Sequence, residues 1–90
     1  MSRTPRLKPI DLAPGWPDQR SKDPAGEAAR QFALRLRETI GGGSIRGTAR
    51  AAGLSHGALL GYLKGTSWPD LYAIARLEAA LGVSLWDSNR

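Results

Sequence analysis

Ninety residues leave room for one compact domain with a short appended segment, and so small a core favours simple helical packing. The absence of cysteine excludes a disulfide framework and thiolate zinc sites, and fits a reducing, cytoplasmic setting. No apolar stretch approaches the roughly 20 residues of a membrane span, and no apolar run follows Arg3, Arg6 and Lys8, so neither a membrane anchor nor a signal peptide is expected.

Residues 1–22 hold four of the six prolines, at Pro5, Pro9, Pro14 and Pro17, without a sustained period. That composition predicts a flexible, basic, Pro-rich N-terminal arm or loose wrap. Leu7, Ile10, Leu12 and Trp16 offer it anchors, Trp16 above all, because an exposed indole forfeits much apolar burial. Residues 23–90 read as the folded domain. Asp23 and Pro24 predict a helix start, with Asp capping free amides and Pro tolerated in the first turn. Ala25, Ala29, Phe32, Ala33, Leu36 and Ile40 then form one stripe at three- and four-residue spacing, and Gly41-Gly42-Gly43 stops it. The stretch "GGSIRGT" has phosphate-loop glycine spacing, but Thr48 stands where that loop needs Lys.

Ser44 predicts the cap of a second helix running to about Ala52, turned at Gly53-Leu54. Ser55 predicts the cap of a third, ending near Lys64 at Gly65. Asp70 caps a fourth through Leu71, Ile74, Ala75, Leu77, Glu78 and Leu81, stopped at Gly82. In "VSLWD", Val83, Leu85 and Trp86 form a lid with the makings of a fifth helical turn. No strand pattern competes. The expected fold is all-α, a compact bundle of about five short helices plus the arm.

The net charge of +5 is unevenly spread. Between residues 30 and 64, Arg30, Arg35, Arg37, Arg46, Arg50 and Lys64 meet only Glu38, whereas residues 65–90 are slightly acidic. A polyanion would therefore meet the middle of the chain.

The segment "ARAAGLSHGALLGYLKG", residues 49–65 of that basic middle (Ala49 being its first letter), meets every requirement of a helix-turn-helix. Ala49 is small enough for close helix crossing, and Gly53 tolerates positive φ in the turn. Leu54 is the apolar turn residue, and Leu59, Tyr62 and Leu63 face inward. The outer face of the second helix carries Ser55, His56, Gly57, Leu60, Gly61 and Lys64, mostly short side chains that let a helix lie deep in a groove.

At these residues the chain resembles the Cro/phage-repressor (XRE-like) helix-turn-helix family. "WPDLYAIARLEAALGVSLW" is similar to that family's following segment, and the resemblance spans about residues 27–86. It implies a lambda-repressor-like fold of five helices around one core, with the helix at 55–64 entering the major groove of double-stranded DNA. It also implies pairing on two half-sites. No dedicated dimerisation segment is expected after Trp86, so a monomer, a homodimer and a DNA-induced homodimer all fit. The chain departs from the family where glutamines often begin both helices of the motif. Ile45 or Arg46 and His56 stand there instead. Arg46 suits phosphate, and His56 offers a ring nitrogen to a base edge.

The expected DNA contacts are thus Arg46, Arg50, Ser55, His56, Gly57, Leu60, Gly61 and Lys64. Ser44, Thr66 and Ser67 add hydroxyls, and Arg3, Arg6 and Lys8 add the arm. Each has a plainer reading. His56 is equally a solvent-facing neighbour of a cap, and Arg50 equally a solvated surface group. Tyr62 is core, and Trp68 and Trp86 are core edges. A lone His without Cys does not make a metal site, no nucleophile–base pair is present for an enzyme, and no cofactor or small-molecule substrate is expected. The function expected is a sequence-specific DNA-binding transcriptional regulator, a repressor that occupies operator DNA. A helix-turn-helix module that binds a protein partner is the alternative.

Overall fold

Helix starts in this chain are set by side-chain oxygens that meet otherwise free backbone amides. In the computed structural model, which describes residues 6–86, Asp23 accepts from the amides of Ala25 and Gly26 and begins α2 (Pro24–Ile40). Ser44 accepts from Gly47 N at 2.9 Å and begins α3 (Ile45–Ala52). Ser55 and Asp70 accept from Ala58 N and Ala73 N, opening α4 (His56–Lys64) and α5 (Leu71–Leu81). Each cap satisfies amides that a helix start leaves orphaned. A four-residue helix, α1 (Pro9–Leu12), precedes them all, so the described residues form five helices and no strand.

The core is built from one face of each long helix. Phe32 and Leu36 of α2 meet Ala49 and Ala52 of α3, Leu59 and Leu63 of α4, Ile74 and Leu77 of α5, and Leu85 beyond it. Ile40, Ile45, Leu54, Tyr62 and Leu81 close its edges. The "VSLWD" stretch forms no helix over residues 83–86. Its lid role falls to Leu85, which is fully buried, while Trp86 is 44% exposed. Both backbone amides donate to Glu78 Oε2, at 2.7 and 2.9 Å, so a carboxylate of α5 does the work of a helical turn.

Residues 9–21 wrap onto the domain instead of standing off as an arm. Pro9 and Ala13 are buried. Gly26 brings α2 so close beneath α1 that a Cβ there would lie 2.8 Å from Leu12 Cβ. The Ser21 hydroxyl donates to the Leu12 carbonyl. Trp16 is the anchor its indole suggested: Nε1 donates to Leu63 O at 3.2 Å, and the ring lies against Gly65. Local composition leaves arm and wrap both open because it carries no record of these distant partners. Upstream, Leu7 O accepts from Trp68 Nε1 at 2.7 Å. Arg3 lies outside the described residues.

One ionic cluster fastens the wrap to α2. Glu27 accepts from Arg30 Nε and Nη2 at 2.9 and 2.7 Å, from Ser21 N at 2.8 Å and from Gln31 Nε2 at 2.9 Å. Arg30 Nη1 completes it by donating to Pro17 O. The Arg30 hydrogen bonds above all hold the Glu27 carboxyl far below the usual range, at about 2, against the opposing cost of burial. Arg30 is therefore a buried, neutralised group and leaves the basic surface counted from sequence.

Two expectations follow. Glu27→Gln should destabilise the fold at neutral pH by about 1–3 kcal/mol. Because the folded carboxyl is depressed, its contribution is whole above the ordinary Glu range and drains away as pH falls toward about 2. Denaturant melts of both proteins at neutral pH and near about pH 3 should show the gap narrowing. Deleting residues 2–9 should also lower thermal stability, since it removes buried Pro9 and the Leu7 acceptor. One lost hydrogen bond alone, about 1 kcal/mol, is about 4–8 °C for a domain of this size.

Candidate nucleic-acid interface

The turn between α3 and α4 is a backbone motif that sequence alone makes readable. Gly53 sits at φ 71°, donating to Arg50 O at 3.1 Å, and Leu54 N reaches back to Ala49 O at 2.9 Å. This paired arrangement ends a helix abruptly and satisfies its last carbonyls. Ala49, 2% exposed, carries too little side chain to hold the helices apart. Together these residues aim α4 across α3 with Leu59 and Leu63 turned into the core.

The other end of α4 closes in the same way. Gly65 adopts φ 76° and Thr66 N donates to Gly61 O at 2.9 Å. A Cβ on Gly65 would lie 2.7 Å from the Trp16 indole, so only glycine seats that ring. Ile10 N donates to Gly65 O at 2.9 Å, and α1 thereby braces the C-terminus of α4. Tyr62, half-buried, has its phenol pushed up by burial and then by the Asp70 charge, so it stays neutral as an edge of the core.

With both ends and the inner face fixed, the outer face of α4 presents His56, Gly57, Leu60 and Lys64. Gly57 and Lys64 are exposed, while His56 and Leu60 are half-buried. Nothing lies within 4 Å of where a Gly57 Cβ would stand, so its missing side chain leaves open space for another molecule. Ser55 spends its acceptor on the cap but keeps its hydroxyl proton available. Ser44 stands likewise at the start of α3.

Gly61 requires a correction. It is buried, and a Cβ on it would lie 2.6 Å from Ser67 Oγ and 3.5 Å from Thr66 Oγ1. It belongs under the turn that follows α4, not on the helix's open outer face. A helical wheel places it outward because a wheel carries no information about the chain folding back. Thr66 and Ser67 are exposed, and the Thr66 hydroxyl donates to Gly61 O at 3.4 Å.

Arg46 and Arg50 stand four residues apart on α3, exposed, as are Arg37 on α2 and Lys64 on α4. None of the four side chains has a hydrogen bond or ion pair among the described residues. Arg35 differs, donating to Leu85 O at 3.3 Å and stitching α2 to the C-terminal lid. Arg37 was missed as a site candidate; its place in the last turn of α2, one turn before the glycine stop, was the available signal. Arg6 and Lys8 are exposed on the segment that leads into α1. Among the described residues no cluster of His, Asp or Glu could hold a metal ion, and no helix is long and apolar enough to cross a membrane.

Five helices and no strand among the described residues, with α3 and α4 joined through this turn, define an all-α helix-turn-helix fold. The chain is similar to the restriction-modification controller protein C.AhdI from Aeromonas hydrophila, whose crystal structure superposes with a TM-score of 0.56 at 30% identity, over 61% of this chain and 86% of that one. No family model and no curated protein matches the chain.

The two glycines of α4 should behave differently. Gly57→Ala should raise stability by about 1 kcal/mol, the helix propensity gained at an open position. Gly61→Ala should show no such gain, because its methyl displaces Ser67 and the turn above it. Paired thermal melts check this, and equal gains would refute the buried placement of Gly61.

Proposed function

We propose that this protein is a sequence-specific double-stranded DNA-binding transcriptional regulator, a repressor of the Cro/phage-repressor type that inserts α4 in the major groove. One observation carries the reading. A helix held by its core face and both ends offers a nearly bare outer face, open at Gly57, beside the unpaired cations Arg46, Arg50 and Lys64. The likeness to a restriction-modification controller supports regulation as the class.

In this reading Ser55, His56 and Leu60 meet base edges, and Gly57 permits the close approach. Arg46, Arg50 and Lys64 meet phosphates, joined by the hydroxyls of Ser44, Thr66 and Ser67. Phosphate contacts fix register and most of the affinity, and base contacts fix sequence. Arg3, Arg6 and Lys8 extend the contact along the duplex from the N-terminal side. A palindromic preferred site would mean that two copies bind it, the spacing of half-sites giving the geometry of the homodimer.

Duplexes selected from a random pool supply the probe. His56→Ala should cost about 1–3 kcal/mol at one base position and relax preference there. Arg46→Ala and Arg50→Ala should each weaken binding to every sequence and lower the salt slope by about one ion, leaving the preferred site unchanged. If no duplex is retained even at low salt, the DNA-binding reading is wrong. Uniform weakening by His56→Ala would make it a phosphate contact or a cap and would end its base-reading role.

A further inference from the structure

Beside the outer face of α4 lies a cleft of about 320 Å³ that direct reading by His56 and Gly57 leaves unused. Ile40 from the end of α2, Ile45 from the start of α3, and Leu60 and Leu63 from α4 give it apolar walls. Arg37 and Lys64 also line it, both exposed and with no side-chain hydrogen bond or ion pair among the described residues. An apolar cleft between two unpaired cations complements a ligand whose apolar edge lies between anionic groups.

Duplex DNA has that chemistry in its major groove. Thymine alone among the bases presents a methyl group there, and the phosphates of its own strand run past on either side. Leu60 is the one large apolar side chain on the outer face of α4, and it forms part of both that face and the cleft wall. We propose that this cleft is a thymine-selective part of the DNA interface. The C5-methyl packs on Leu60, and Arg37 and Lys64 meet the flanking phosphates. The inference rests on the DNA-binding reading and adds to it a base preference and a contact from α2, outside the helix-turn-helix.

The test uses the full chain and duplexes recovered from the random pool, resynthesised with deoxyuridine replacing one thymidine at a time. That exchange deletes a methyl and leaves base pairing intact. At one or two positions uracil should weaken binding about fourfold, the value of one buried methyl group. Leu60→Ala should bind thymine and uracil duplexes alike at those positions, whereas Leu60→Met, which keeps apolar surface, should retain the preference. Arg37→Gln should lower the salt slope by about one ion and leave the uracil pattern unchanged.

A flat uracil scan in the unmodified protein overturns the proposal, as does a uracil penalty that persists in Leu60→Ala or an unaltered slope in Arg37→Gln. A flat scan with a melting temperature raised by octanoate would assign the cleft to a small amphiphilic anion instead, and would also overturn it. In either case continued dependence of duplex binding on Arg46 and Arg50 keeps the DNA-binding reading standing. Failure to recover any duplex removes both.

Discussion

A nine-residue helix with one face left bare cannot hold itself together in water, and α4 is such a helix. Its order must come from elsewhere, and most of the remaining structure supplies it. The start is fixed by the Ser55 cap and the Gly53 turn, the inner face by Leu59 and Leu63 among α2, α3 and α5. The far end is fixed by Gly65, against which Trp16 lies while donating to Leu63 O. Every restraint acts from the inside or the ends, which is why the outer face can afford two half-buried residues and a glycine.

Most of this was legible because it is local. Asp23, Ser44, Ser55 and Asp70 each bond amides two or three residues onward, and Gly41, Gly53, Gly65 and Gly82 each follow a last helical turn. A reader of sequence needs only near neighbours to find them. The apolar stripe of α2 was equally plain, apart from Ala25, which lies exposed.

What was not legible depends on residues far apart in the chain. α1 exists because Ile10 N finds Gly65 O, and because Gly26 and Ser21 meet Leu12. None of those partners marks residues 9–12 as helical. Helical spacing puts Gly61 outside because it carries no trace of Ser67, six residues on, folding back over it. Glu78 ends the chain's lid through two amides that no periodicity announces. Of the candidate site, the positions of Arg46, Arg50, His56, Gly57 and Lys64 on exposed or half-buried faces were readable, and the cleft beside Leu60 was not.

Geometry also sharpens what the charge means. The sequence shows six cations between residues 30 and 64, but two serve the fold: Arg30 is neutralised by Glu27, and Arg35 holds Leu85. The four whose side chains remain unpaired, Arg37, Arg46, Arg50 and Lys64, come from three helices, and Arg37 and Lys64 share the cleft beside Leu60. Exposed charges like these contribute little to stability, so folding alone gives little reason for four unpaired cations against the single carboxylate of Glu38 in this stretch. A polyanion gives one. On the DNA-binding reading, a polyanion would gain through counterion release from each of them that meets a phosphate, and the apolar walls between Arg37 and Lys64 would give it something to distinguish besides charge.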